Sequence, residues 1–175
     1  MRNQLKTAIL GMALLTVPAH AATTVARDDV LKPASIRMAD RGRDALAKNE
    51  PMAAIDAFEA ALASDPKNVS AYTGIAMSYE KLELPGKAVR YYREALALNP
   101  SDLGALEGQG KALIARGATA RAQINLARIK ALCKAECLPA TRLQTALTEA
   151  NKSATAAKTA EANKAPAKGP DVAKN

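Results

Sequence analysis

The sequence predicts an all-α solenoid: three stacked helix-turn-helix units, a C-terminal capping helix and a disordered tail. Three observations carry this. Pro66 and Pro100 stand 34 residues apart, and the residues ahead of each repeat at the same offsets. A third, looser copy follows in register, with Lys134 where its proline would fall. After it, Leu143 and Leu147 stand four apart on one helical face, which suits a helix covering the last apolar edge of a stack.

The units run in order over about 35–68, 69–102 and 103–136. The first reads Met38-x2-Arg41-Gly42-x2-Ala45, then Ala54-x3-Phe58, then Ala61. The second reads Tyr72-x2-Ile75-Ala76-x2-Tyr79, then Ala88-x3-Tyr92, then Ala95. The third reads Leu106-x2-Gln109-Gly110-x2-Leu113, then Ala122-x3-Leu126. Small residues at the repeated offsets let helices cross closely, and the large apolar ones fill the gaps between them. Pro66 and Pro100 stop the second helix of their pair, because proline cannot continue a helix interior. Pro139 suits the first turn of the capping helix, placed at 138–150.

This pattern resembles the tetratricopeptide repeat (TPR) family, over Ser35 to about Glu136. The second copy matches best. The first departs at Arg41 and Ala45, the third at Gln109 and Lys134. The resemblance implies that the first helix of each pair lines a concave face that holds an extended peptide or a partner helix. It places Ala39 and Arg43 from the first unit there, Thr73 and Met77 from the second, and Glu107 and Lys111 from the third, with Glu80 at the rim. Arg43 and Lys111 would receive a carboxylate, with Met77 as an adaptable apolar contact. The Lys and Asn set by which chaperone-binding members hold a peptide's C-terminal carboxylate is not matched. Small exported members of this size resemble assembly factors for pili, secretion machines and polysaccharide export.

Residues 1–21 have the order of a secretory signal peptide. Arg2 and Lys6 precede the uncharged run Ala8 to Val17, Pro18 breaks it, and Ala19-His20-Ala21 offers a cleavage site. The expectation is an exported chain, periplasmic in a Gram-negative cell, with no cysteine near the cleavage site to carry a lipid. A polar arm follows over 22–34. At the other end, 151–175 is almost entirely Ala, Lys, Thr, Asn and Pro, too poor in apolar residues to offset its ordering entropy. We read it as a disordered Lys/Ala-rich tail, either a solubilising segment or a weak contact with anionic envelope polymers or lipid headgroups.

Composition narrows the function. The chain has 25 basic and 17 acidic residues, a net charge of +8. Arg2 and Lys6 leave with the predicted leader, and much of the remaining excess lies in the tail, so the repeats lack the dense basic face of a nucleic-acid binder. With one Phe and no Trp, base stacking has little to draw on. The one histidine, His20, falls in the predicted leader, so no Ser-His-Asp or Cys-His arrangement can be built. Gly104, Gly108 and Gly110 lie on a repeat helix with no Gly-Lys-Ser/Thr after them, so no phosphate loop is present. The expectation is a non-enzyme without cofactor or metal.

Cys133 and Cys137 are the only cysteines, four apart, where the third unit lacks its proline. An even count in an exported chain reads as a disulfide, and on a helix their Cα atoms would lie about 6 Å apart. A redox-active pair is the second reading, although oxidoreductases use C-x-x-C. A metal site is the third, with two thiolates and no mature histidine to build it. Two functions stay open. One is an adapter that binds a protein or peptide partner on its concave face in assembly of an envelope structure. The other is a structural spacer held to the anionic envelope by the tail.

Overall fold

A computed structural model describes residues 30–134 and 137–164. The predicted leader, most of the arm and residues 165–175 lie outside them. Contacts divide the chain at Val30 and Leu31, and the fold is that of the unit beginning at Leu31. Seven helices follow in order: α1 (Pro33–Ala47), α2 (Pro51–Ser64), α3 (Val69–Lys81), α4 (Pro85–Leu98), α5 (Leu103–Ala115), α6 (Thr119–Leu132) and α7 (Leu138–Lys164). They form the predicted three pairs, α1–α2, α3–α4 and α5–α6, each packed on the next. The first helices also touch in sequence, α1 on α3 and α3 on α5, and α7 packs on both α5 and α6. α7 therefore takes the place that the first helix of a fourth unit would hold.

The 34-residue period appears in the turns as well as the helices. Asn49, Glu83 and Gly117, each 34 beyond the last, have positive φ of 61°, 57° and 74°. At each, the residue three past the helix end donates its N–H back over the left-handed residue: Glu50 to Ala45, Leu84 to Tyr79, Ala118 to Leu113. This bond satisfies an orphan carbonyl of the first helix and reverses the chain. Pro51 and Pro85 then open α2 and α4 at positions whose N–H is not needed. Between pairs, Asn68 and Asp102 cap α3 and α5 by accepting from the N–H of Ala71 and Ala105 at 3.2 and 2.9 Å. Pro66 and Pro100 lie just past α2 and α4, as their chemistry requires.

The core forms where small residues admit large ones. Phe58 is fully buried between α1 and α3. A Cβ on Gly42 or Gly74 would come within 2.7 or 2.3 Å of its ring, so neither position accepts a side chain without moving it. Leu143 of α7 is buried over Gly110 in the same way, and Leu147 beside it completes the cap. Gln109, a departure from the family pattern, has a local reason. It accepts from Asn125 Nδ2 at 2.9 Å, and Asn125 also donates to the Leu106 carbonyl at 3.2 Å, so the third pair is crossed by a buried polar link.

Two boundaries differ from expectation. α1 opens at Pro33, inside the segment read as a polar arm. More substantially, the capping helix does not end at 150: residues 151–164 of the stretch read as a disordered tail continue α7. Residues 151–161 are exposed on every side, so burial does not hold this part. Alanine has the highest helix propensity and recurs here, and Lys152 pairs with Glu149 one turn earlier at 3.0 Å. This stretch lacks apolar surface, but it continues from a packed first half, so no new helix nucleus has to form. Cys133 and Cys137 are bonded, with Cα atoms 6.3 Å apart. The bond ties the end of α6 to the residue before α7. Among the described residues, no helix is long and apolar enough to cross a membrane.

Candidate peptide groove

The first helices share one face, and a cavity of about 310 Å³ opens on it between α3 and α5. Thr73, Met77 and Glu80 form its α3 wall, Glu107 and Lys111 its α5 wall, and Tyr92 of α4 reaches its floor. A neighbouring cavity continues toward α1 along Leu46, Met77 and Lys81. The two share Met77 and Glu80, which makes a groove running from α1 to α5.

The structure thus brings together Thr73, Met77, Glu80, Glu107 and Lys111 and leaves out Ala39 and Arg43. Ala39 is 1% exposed. It lies on the stripe of α1 that also buries Ser35 and Gly42, so this methyl packs inward and presents nothing to a ligand. Arg43 lines no part of the groove; its guanidinium pairs with Asp40 on the exposed side of the same helix. Lys111 is in the groove, yet its ammonium sits 2.6 Å from Glu107. It is not the free carboxylate receiver that the sequence suggested.

Glu107 is the anchor of the site. Its carboxylate is buried and takes two near-parallel bonds from Arg142 of α7, Nε to Oε1 at 2.7 Å and Nη2 to Oε2 at 2.6 Å. Burial pushes this carboxyl up, but the hydrogen bonds and charges of Arg142 and Lys111 outweigh it and hold the group below its ordinary range. Glu80 is the opposite case. Burial dominates and raises its pKa, opposed by a hydrogen bond from Tyr92 and the more distant charge of Lys111. The Tyr92 hydroxyl donates to Glu80 Oε2 at 2.9 Å. Among the described residues, no lysine or arginine forms an ion pair with Glu80.

Sequence reasoning missed Tyr92, Gly108 and Arg142. Tyr92 fills a core slot of its repeat, yet a buried phenol needs a partner for its hydroxyl, and that need pointed toward the groove. Gly108 is what lets the ring through: a Cβ there would fall 2.2 Å from Tyr92 Cζ. Arg142 had no local signal, because its partner is 35 residues away.

Paired helices stacked in register, with the first helices forming a grooved face, define a helical-repeat scaffold. The chain belongs to the tetratricopeptide repeat family, whose model matches residues 39–102 and 73–128. No curated protein matches the sequence significantly. Among solved structures, the Sgt2 TPR domain from Aspergillus fumigatus is 20% identical, with a TM-score of 0.66 over 86% of this chain and 97% of that one. The yeast Sti1 TPR2B domain, in complex with pHsp70, is 18% identical, with a TM-score of 0.64 over 70% and 99%. The first TPR of Spaghetti (RPAP3), bound to an HSP90 peptide, is 22% identical, with a TM-score of 0.63 over 70% and 99%. At these identities the likeness is one of fold.

Proposed function

We propose that this protein is a non-enzymatic adapter that takes an extended segment of a partner protein in the groove between α1, α3 and α5. The observation that carries the reading is the continuous groove through Met77 and Glu80, walled by first helices, with Glu107 on its α5 wall held by Arg142 of α7. A preformed concavity with an apolar wall and a few oriented polar groups is what peptide recognition needs. Solved structures of the same fold, one bound to an HSP90 peptide and one in complex with pHsp70, support a peptide as occupant. The leader-like residues 1–21 support export, and we place the adapter in the cell envelope, in assembly of a structure such as a pilus or secretion machine. A second reading, a spacer held to anionic envelope polymer, draws on Lys152 and Lys158, exposed on the outer part of α7.

In-cell crosslinking of the full chain with mass spectrometry tests the choice. Met77→Arg fills the groove, and a chain ending at Ala150 removes the lysines. A discrete crosslinked partner lost with Met77→Arg and kept by the shortened chain is expected. Crosslinks insensitive to Met77→Arg but lost on shortening would transfer the function to the C-terminal segment.

A further inference from the structure

Resting on that adapter reading, we infer that the groove recognises its partner through a basic side chain, lysine or arginine, whose cation seats on Glu80. One carboxylate in the groove is left without a paired cation. Five charged groups line or close the cavity: Glu80, Asp102, Glu107, Lys111 and Arg142, of which Asp102 is engaged in capping α5 through the Ala105 N–H. Lys111 and Arg142 both converge on Glu107, at 2.6 Å each. Glu80 keeps only the Tyr92 hydroxyl, a neutral donor, on Oε2. A half-buried carboxylate with one neutral partner is incompletely compensated, and a close cation is what stabilises it. Burial already pushes this carboxyl up, the mark of a charge held away from water without a close counter-ion.

The surroundings fit the rest of such a side chain. Met77, one turn before Glu80 and half exposed, offers a polarizable apolar wall for the methylene stem of lysine or arginine. The Tyr92 oxygen still has lone pairs to accept from an ammonium or guanidinium. Glu83 and Pro85 line a further cavity that also takes in Glu80 and Lys111, so the negative surface continues past the seat. Lys111 on the α5 wall is held by Glu107, and Lys81 on the α1 side donates to Asn49 Oδ1 at 3.1 Å, so neither cation is partnered with Glu80. The whole chain is basic at +8, and its groove is nonetheless the place where a carboxylate stands unanswered.

The test selects from a random peptide library displayed on phage with the full chain, then measures the selected peptides by fluorescence anisotropy. Expected are sequences fixed for one Lys or Arg, with affinity falling about tenfold or more in Glu80→Gln, the loss of one charge-assisted pair. Glu80→Gln keeps the size and an acceptor for Tyr92, so the fold is held. Glu80→Lys should then prefer the same peptides with that basic residue changed to Glu. Peptides selected without a basic residue, yet lost with Met77→Arg, would overturn the inference and leave the peptide groove standing. Selected peptides indifferent to Met77→Arg, or none selected, would overturn both.

Discussion

At the scale of single residues, the most exposed strain is Glu83. It holds the left-handed turn position with φ 57°, where the third unit has Gly117 and the first Asn49. A side chain with Cβ costs about 1 kcal/mol or more there, and glycine does not. Glu83→Gly should therefore raise stability by about 0.5–1 kcal/mol in urea denaturation, and Gly117→Ala should lower it by a similar amount. The turn residues were legible only in part. The prolines that announce each unit stand in the sequence, but the repeated left-handed position is filled by Asn, Glu and Gly, three residues with no common look. Glu107 belongs to this scale too. Its folded pKa is depressed, so its stabilisation is fully present above the ordinary carboxylate range and is lost as pH falls below that range through the lower folded value. Asp65, depressed by N–H groups of Lys32 and Lys67, acts in the same direction. Glu107→Gln should cost about 1–2 kcal/mol at pH 7 and narrow the stability gap between pH 7 and pH 3, read by urea melts at both.

At the scale of elements, α7 is two things in one helix. Its first half is a cap: Ala140, Leu143 and Leu147 are buried, and Arg142 reaches Glu107. Its second half is held by its own backbone and by alanine propensity. Ending the chain at Ala150 should leave the melting temperature nearly unchanged while lowering helical circular dichroism. Leu143→Ala should cost about 2–5 kcal/mol, the range for a large-to-small core change. The cap was legible because a buried face writes its period into the sequence at Leu143 and Leu147. The extension was not, because an exposed helix leaves no apolar pattern to read. The groove splits along the same line. The family resemblance put Thr73, Met77, Glu107 and Lys111 on the right helices, and the same rule also gave Ala39 and Arg43, which lie outside the groove. The Glu107–Lys111 pair was itself legible, four apart on one helix, whereas Arg142 enters from a different element and left no local signal.

At the scale of the whole unit, the polar links matter as much as the apolar stack. Ser35 Oγ donates to the Ala61 carbonyl and accepts from Asn68 Nδ2, each at 2.8 Å, so the first pair and the start of α3 share one buried network. The Asn125–Gln109 link crosses the third pair, and the disulfide clips α6 to α7. Each fixes a neighbour to a neighbour, which is the logic of a solenoid, where stability is a sum over adjacent interfaces. Two such joints also reach the groove: Tyr92 to Glu80, and Arg142 to Glu107.

That double membership couples two places that a bound peptide need not touch together. Lifting α7 takes Arg142 away from Glu107, a carboxylate that lines the groove. A ligand that binds only the closed arrangement must then make lifting rarer, by linkage. The expected readout is in amide protons: saturating the groove should slow hydrogen–deuterium exchange across 140–149 by the same factor at which binding disfavours the open form. Arg142→Ala should abolish that slowing. Exchange on the cap would then serve as a remote gauge of occupancy at Glu80.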